Sequence, residues 1–159
     1  MMRDISIRAA VTGEWGFVVR LLEQTGLGAA EVDLVGTTFH IAVAEHVIAG
    51  CAGTKRHGGA AVFGPLAVLP EYRERGIGSH LVQAALMRAR AGGCQQAVVL
   101  SMFCASFFSR HGFLVTPRGA LPRELRASKA YQRHDSQASF CMTCDLTQVS
   151  HNWVPPSSY

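Results

Sequence analysis

The residues with the clearest chemical potential form a short run rich in arginine and glycine, Arg73-Glu74-Arg75-Gly76-Ile77-Gly78. Glycine lets a backbone turn tightly and approach a ligand without a Cβ in the way. If a helix follows, its first turn offers unpaired N–H groups and a partial positive charge, which together bind anions such as phosphate. The run therefore predicts a phosphate-binding turn, with an ordinary strand-to-helix connection bearing surface arginines as the alternative.

A strand and a helix are predicted on either side of this run. Leu66-Ala67-Val68-Leu69 is an apolar segment typical of a strand, and Pro70 ends it because proline has no N–H for the ladder. After Gly78, apolar residues recur one helical turn apart until Gly92-Gly93 stops the pattern. The glycines are not followed by Gly-Lys-Ser/Thr, and the third glycine of a dinucleotide fingerprint is missing, so neither of those phosphate motifs applies.

The rest of the chain predicts an α/β (α+β) fold with a mixed, mostly antiparallel sheet. Because a parallel strand pair needs a helical crossover, the strand, helix and strand around the glycine run are expected to form one such unit. The other predicted strands are 3–9, 39–44, 47–56, 60–68, 97–100, 113–116 and 140–146. Helices are expected from Thr12 or Gly13 to Gly26 and over 105–111, and an arginine-rich excursion over 117–128.

Length and composition favour one globular domain over residues 1–149, followed by a loose tail at 150–159. The net charge of +4 is compatible with nucleic acid, but a polyanionic cofactor explains it equally well, and the sequence contains no basic-aromatic stripe. No apolar run approaches the roughly 20 residues of a membrane helix, and the first residues do not resemble a signal peptide. We therefore expect a cytoplasmic protein that binds neither nucleic acid nor membranes.

The five cysteines are expected to be free thiols, because an odd number in a cytosolic chain argues against disulfides. Cys141 and Cys144 have the spacing of a metal or redox pair. They lie in a predicted strand, however, where positions i and i+3 point to opposite faces. We therefore expect no metal site.

The segment Pro70-x-x-Arg73-x-x-Gly76-x-Gly78, with its flanking strand and helix, resembles the acetyl-CoA pyrophosphate loop of the GNAT N-acetyltransferase superfamily. The resemblance implies a GNAT fold whose sheet splays between strands 4 and 5, so that acetyl-pantetheine enters the gap. It also implies acetyl-CoA as the cofactor. The cofactor-binding residues that it implies are Leu66, Ala67, Val68, Arg73, Glu74, Arg75, Gly76, Ile77, Gly78, Ser79 and Phe108.

The second half of the chain narrows the resemblance. Phe107-Phe108-x-x-x-Gly112-Phe113, Leu121-Pro122 and the closing Met142-x-x-Asp145-Leu146 are similar to two groups. These are the stand-alone arsenic-resistance N-acetyltransferases and the acetyltransferase domain of N-acetylglutamate synthase. The similarity implies acetyl transfer to the primary amine of a small acceptor, acidic or amino-acid-like, by direct attack on the thioester. A homodimer is left open.

Three positions depart from these families. Phe108 stands where many GNAT enzymes carry a tyrosine that protonates the CoA thiolate, and Lys55 stands where the stand-alone enzymes often have a glutamate. Gly64-Pro65 replaces polar residues that face the acceptor in relatives, and it also predicts a bulge or a lost ladder hydrogen bond in the fourth strand. The first two departures also fit a non-catalytic acetyl-CoA-binding module, which is the alternative function.

His57 is the first candidate general base, because histidine titrates near neutral pH and a turn after the third strand can line the acceptor cleft. The alternative is a solvated turn histidine. His111 is the second candidate, with a packed histidine as its alternative. Lys55, Arg56 and Arg133 are candidates to bind an acidic group of the acceptor, against the alternative of a solvated cationic loop.

Overall fold

The computed structural model describes residues 5–26, 36–102, 104–133 and 139–147, except for the side chains of Ala130 and Arg133. The predicted tail at 150–159 and most of the predicted connection between Gly28 and Gly36 lie outside these residues. The strands are β1 (Ile5–Ala9), β2 (Thr37–Ala44), β3 (Val47–His57), β4 (Ala60–Val68), β5 (Gln96–Val99), β6 (Leu114–Pro117) and β7 (Phe140–Asp145). The α-helices are α1 (Trp15–Gln24), α2 (Ile77–Ala91), α3 (Ala105–Ser109), α4 (Arg123–Arg126) and α5 (Lys129–Arg133).

The strands form one mixed sheet in the order β1-β2-β3-β4-β5-β7-β6. Neighbouring strands are antiparallel except for β4 and β5, which are parallel. Helix α2 connects these two, because a parallel pair cannot be joined by a tight hairpin. The mixed, mostly antiparallel sheet and the helical crossover predicted from the sequence are therefore confirmed.

The parallel pair is short, and the sheet opens beyond it. β4 and β5 pair only from Ala60 opposite Gln96 to Val62 opposite Val98, whereas β4 continues to Val68. On its other edge β4 pairs with β3, where Leu66 of β4 lies opposite Ala52 and Phe63 of β4 lies opposite Thr54. Two residues of β4 therefore face one of β3, which is the bulge predicted at Gly64-Pro65. The predicted splay between strands 4 and 5 is confirmed.

Helices cover the two faces of the sheet unevenly. On one face, called the α2 face, Ile77, Leu81, Val82 and Ala85 of α2 pack against β2, β3 and β4. On the other, called the α1 face, Val18, Leu21 and Leu22 of α1 cover one half of the sheet, and Leu121, Leu125 and Tyr131 cover the other. The two halves meet on the α1 face near the split between β4 and β5.

The predicted placement of Cys141 and Cys144 on opposite faces of the sheet is confirmed, because Cys141 packs on the α1 face and Cys144 on the α2 face. Some predicted boundaries were wrong. Thr12–Glu14 forms a 3-10 turn, and α1 starts only at Trp15. The predicted excursion over 117–128 contains a 3-10 turn and α4, whose four residues are too few to show a helical period. Within the described part of the chain, no helix is long and apolar enough to cross a membrane.

Candidate functional site

The glycine run forms a tight turn that is anchored at both ends. The amide of Leu69 donates to the carbonyl of Ala49 (2.8 Å), which fixes the end of β4, and Pro70–Tyr72 then forms a 3-10 turn. The guanidinium Nε of Arg73 donates back to the carbonyl of Val68 (2.9 Å). Gly76, with φ 79°, takes the left-handed conformation that most side chains avoid. α2 then begins at Ile77, two residues earlier than the sequence predicts, because the helix was expected only after Gly78.

The first turn of α2 has the features of an anion site. Ile77 is buried and packs into the sheet, so the start of the helix is held firmly. The amides of residues 77–79 have no carbonyl four residues earlier inside the helix, and they point out from its N-terminus. A Cβ placed on Gly78 would lie no closer than 3.6 Å to any neighbour, the nearest being Cζ of Phe107. Packing against the described residues therefore does not require glycine at this position, and a glycine here is compatible with the close approach of a ligand.

Cationic side chains flank this turn. Arg73, Glu74 and Arg75 are exposed, and Glu74 has a positive φ of 65°. The guanidinium of Arg75 lies 5.2 Å from the centre of the Tyr72 ring, which holds the charge close to the loop. The loop therefore offers both backbone donors and positive charge, and these suit a pyrophosphate group.

The three predicted residues of β4, Leu66, Ala67 and Val68, lie on the strand beyond its last pairing with β5. Ala67 is buried against α1, while Leu66 and Val68 pack on the α2 face. Among the described residues, the edge of β4 that faces β5 has no strand partner there. Alternate N–H and C=O groups along such an edge can pair with an extended amide chain.

Phe108 belongs to an aromatic cluster at the split. Its ring centre lies 6.2 Å from that of Phe63, the first residue of β4 beyond the pairing with β5, and 5.3 Å from that of Phe113. Phe107 packs on its other side at 5.1 Å. Because Phe108 is buried and has no hydroxyl, it can exclude water from the split but cannot donate a proton.

His57 and Lys55 face the α1 side of the sheet. Lys55 is opposite Val62, the last β4 residue that pairs with β5, and His57 is opposite Ala60, two residues further from the split. Burial, and then the charge of Lys55, lowers the pKa of His57. Its Nε2 is buried without a hydrogen-bond partner in the described part of the chain. Lys55 is thus the nearer of the two to the split.

Arg56 points the other way. Its Nε donates to the carbonyl of Gly58 (2.7 Å), and its Nη1 donates to the carbonyl of Gly92 (2.6 Å) at the end of α2. The structure therefore separates Arg56 from Lys55 and ties it to the end of α2 far from the glycine turn. The side chain of Arg133 lies outside the described residues.

Arg118 is a candidate that sequence reasoning missed. Only 4% of its surface is exposed, and its guanidinium lies 4.7 Å from the centre of the Tyr131 ring on the α1 face. It follows β6 directly, and its amide donates to the carbonyl of Ser139 (3.0 Å) just before β7. Since Val99 of β5 pairs with Met142, this end of β7 lies beside the end of β5 where the split opens. No local spacing marks this arginine.

An open groove of about 750 Å³ lies elsewhere, between α1 and the turn that joins β2 to β3. Its lining includes Arg8, Phe17 and His46 but neither the first turn of α2 nor the aromatic cluster. Arg8 in this groove is paired with Glu14 at 2.6 Å. The groove borders the candidate site only at Leu69, Pro70 and Glu71, which lie between the end of β4 and the glycine run.

The arrangement at the split agrees with comparison to known proteins. A model of the acetyltransferase (GNAT) domain matches residues 36–115, which include the end of β4 beyond its pairing with β5, the glycine turn and α2. The chain belongs to the GNAT acetyltransferase family. The predicted membership, the predicted fold and the prediction of an acyltransferase domain are thereby confirmed.

Individual relatives agree with this. The chain is 40% identical over 52 residues to an uncharacterized N-acetyltransferase, YjhQ, of Escherichia coli. It is 26% identical over 134 residues to the amino-acid acetyltransferase of Shewanella oneidensis. The aligned regions span 33% and 79% of this chain but only 28% and 30% of those proteins.

Among solved structures, N-acetylglutamate synthase from Neisseria gonorrhoeae, complexed with coenzyme A and N-acetyl-glutamate, superposes with a TM-score of 0.73 at 25% identity. The match covers 91% of this chain and 35% of that one. Similar GNAT structures contain coenzyme A or acetyl-CoA. These bound ligands agree with the prediction of acetyl-CoA as the cofactor.

Proposed function

We propose that this domain transfers the acetyl group of acetyl-CoA to the primary amine of a small acceptor that carries an acidic group. One observation carries the proposal. The end of β4, which has separated from β5 but still pairs with β3, leads directly into the glycine turn and the N-terminus of α2, so one continuous surface offers an extended edge and then an anion site. When it is bound, acetyl-CoA supplies the thioester carbonyl carbon, which bonds to the amine nitrogen as the carbon–sulfur bond breaks.

The residues on the donor side, which contact acetyl-CoA, bind this molecule and shield the split from water. The amides of Ile77, Gly78 and Ser79 bind the pyrophosphate, and the edge of β4 at 66–68 pairs with the pantetheine amides. Phe108 and its aromatic neighbours exclude water from the split, which strengthens electrostatic interactions there. Since Phe108 has no proton to give, the CoA thiolate leaves without a general acid from this position.

The residues on the acceptor side attract the acidic group of the acceptor and orient its amine. Lys55 and Arg118 lie on the α1 face near the split, and Arg133, whose position in the sequence favours the same role, follows Tyr131 by two residues. The planar fork of an arginine fits a carboxylate or an arsenic oxyacid with two hydrogen bonds. The N-acetyl-glutamate bound in the similar synthase from Neisseria gonorrhoeae supports an acidic amine as the acceptor.

The proton of the attacking amine passes to His57 or to ordered water. Because burial lowers the pKa of His57, its imidazole is neutral at pH 7 and can accept a proton. Its distance from the split along β4 favours a route through water. Holding the neutral amine against the thioester then provides much of the rate.

The test follows CoA release against a panel of amino acids, their methyl esters, their amides and organoarsenical amines. We expect release with acidic amines and a KM at least about tenfold higher for the methyl esters, because a lost charged hydrogen bond is worth about 1.5–3 kcal/mol. Released CoA is detected with thiol reagents, and the exposed thiol of Cys104 would react with the same reagents. The assay is therefore run with the Cys104→Ser variant. If no primary amine supports release while CoA still binds, the domain is a binding module.

A further inference from the structure

The imidazole of His111 is held against the first turn of α2. Its Nε2 lies 3.1 Å from Oγ of Ser79, at hydrogen-bond distance. Its ring centre lies 5.0 Å from that of Phe107, and the same phenylalanine is the nearest neighbour of a Cβ built on Gly78. A titratable ring is therefore packed between the end of α3 and the helix turn whose amides bind the pyrophosphate in the proposed function.

The charges around this ring are mostly positive. Arg110 precedes it, with a guanidinium 5.8 Å from the centre of the Phe107 ring. On the β7 side, Cys144 lies next to Gly112, and burial raises the pKa of its thiol, so this neighbour stays uncharged. The first turn of α2 and the loop before it carry Glu71, Tyr72, Arg73, Glu74, Arg75 and His80, and Arg88 and Arg90 lie in the last turn of α2.

In the free protein these surroundings favour the neutral imidazole. Burial, and then the charge of Arg110, lowers the pKa of His111 below its usual 6.5. A pyrophosphate on the first turn of α2 would add two negative charges beside the ring, and negative charge favours the protonated form. The bound state therefore holds more protons than the free state.

We propose that His111 is a positioning residue that takes up a proton from solvent when the pyrophosphate of coenzyme A binds to the first turn of α2. Both ring nitrogens then carry hydrogen, and the Nε2–H donates to the hydroxyl of Ser79. Coenzyme A binds more tightly as pH falls, because protonation and binding reinforce each other. The inference rests on the proposed placement of the pyrophosphate.

Calorimetric titration from pH 8 to pH 5.5 tests this, with dephospho-CoA as the probe. Dephospho-CoA is chosen because the 3′-phosphate of coenzyme A itself titrates near pH 6. We expect its Kd to fall by about threefold to tenfold, since a coupling of one pKa unit is a tenfold change in affinity. The apparent enthalpy at pH 6.5 should differ between buffers of unequal ionisation enthalpy, which reports net proton uptake.

Two variants separate this role from simple packing. His111→Asn should bind dephospho-CoA with a Kd that no longer depends on pH and that stays within about twofold of the wild-type value at pH 8. His80→Asn, which changes an exposed histidine on the same turn, should keep the full pH dependence. If His111→Asn fails to fold, the wild-type protein is titrated by NMR instead, with the ring resonance of His111 assigned from its absence in His111→Gln. This resonance should titrate at a higher pH after dephospho-CoA is added.

A pH dependence that survives His111→Asn, or that disappears in His80→Asn, would overturn the inference and leave the proposed function intact. A wild-type Kd that does not change with pH would overturn it as well. A protein that does not bind dephospho-CoA or coenzyme A at any pH would instead contradict the proposed placement of the pyrophosphate.

Discussion

The two sides of the split between β4 and β5 are built from different kinds of groups. In the proposed function, the donor side consists of the end of β4, the glycine turn and the first turn of α2, and it presents mainly backbone amides from the continuous segment 66–79. The proposed acceptor side lies on the α1 face and presents side chains from separate segments, among them Lys55 and Arg118.

This difference decides how each side responds to mutation. On the donor side a side chain is mainly an obstacle, so the damaging change is the addition of a Cβ branch. On the acceptor side the side chain is the ligand, so the damaging change is its removal. The predictions below test this contrast, from the largest expected effect to the smallest.

Gly78→Val should have the largest effect, a loss of coenzyme A affinity of at least about tenfold with little change in the free energy of unfolding. A Cβ at this position would lie 3.6 Å from the ring of Phe107, which is an ordinary contact distance, and helix propensities differ by only a few tenths of a kcal/mol between Gly and Val. Calorimetry gives the affinity, and thermal unfolding monitors the fold.

Two other glycines calibrate this result. Gly76→Ala should lower stability by about 1–2 kcal/mol, because φ is 79° there and alanine is strained in that region. A Cβ added to Gly13 would meet open space, so Gly13→Ala should change neither the affinity for coenzyme A nor the free energy of unfolding. An unchanged affinity in a folded Gly78→Val would show that the pyrophosphate lies elsewhere.

Arg118→Gln should raise KM for an acidic acceptor by at least about tenfold and leave the affinity for coenzyme A unchanged, because truncating one member of a buried charged pair typically costs 2–5 kcal/mol. Arg123→Gln, an exposed change on α4, is the matched control. Methyl-ester acceptors should show little difference between Arg118→Gln and the wild type. An equal loss with acid and ester would instead show that Arg118 stabilises the fold around Tyr131.

The same contrast explains what the sequence could predict. Pro70, Arg73, Gly76 and Gly78 are close in sequence, and their types follow from backbone geometry, so the donor side could be predicted with its flanking strand and helix. The bulge at Gly64-Pro65 was predictable because proline cannot donate to a ladder.

The acceptor side could not be predicted in the same way. Arg118 reaches the α1 face only because β6 pairs with β7, and β7 with β5, and none of these pairings leaves a local sequence signal. Arg56 and His57 are adjacent in sequence, yet strand alternation sends Arg56 to the end of α2 and His57 to the opposite face. A cationic cluster in sequence therefore does not predict a cationic cluster in space.

His57→Asn should lower kcat/KM by about tenfold or more if the imidazole accepts the amine proton, since general bases contribute about 10²–10⁴-fold. The acidic limb of the pH–rate profile should then move, because asparagine does not titrate in this range. Lys55→Gln sharpens the test, because removing this charge should raise the pKa of His57 and shift the same limb to higher pH. A profile that stays unmoved in His57→Asn would assign the proton to water.

The smallest effect concerns His40, which lies in β2 on the α2 face, beneath the helix that carries the donor side. It is 5% exposed, and burial, followed by the charge of Arg88, lowers its pKa. A histidine whose folded-state pKa is lowered binds protons more readily in the unfolded chain, so stability is complete above the unfolded value near 6.5 and is lost as pH falls toward the folded value. The loss cannot exceed about 1.4 kcal/mol per pH unit for one proton.

Unfolding in urea at pH 7.5 and pH 5.5 should therefore show a larger drop in the free energy of unfolding for the wild type than for His40→Leu. His46→Asn, in the exposed turn between β2 and β3, should behave as the wild type. If His40→Leu keeps the full drop, the histidines on the acceptor side and beside α3, His57 and His111, account for the acid sensitivity, because burial lowers the pKa of each of them as well.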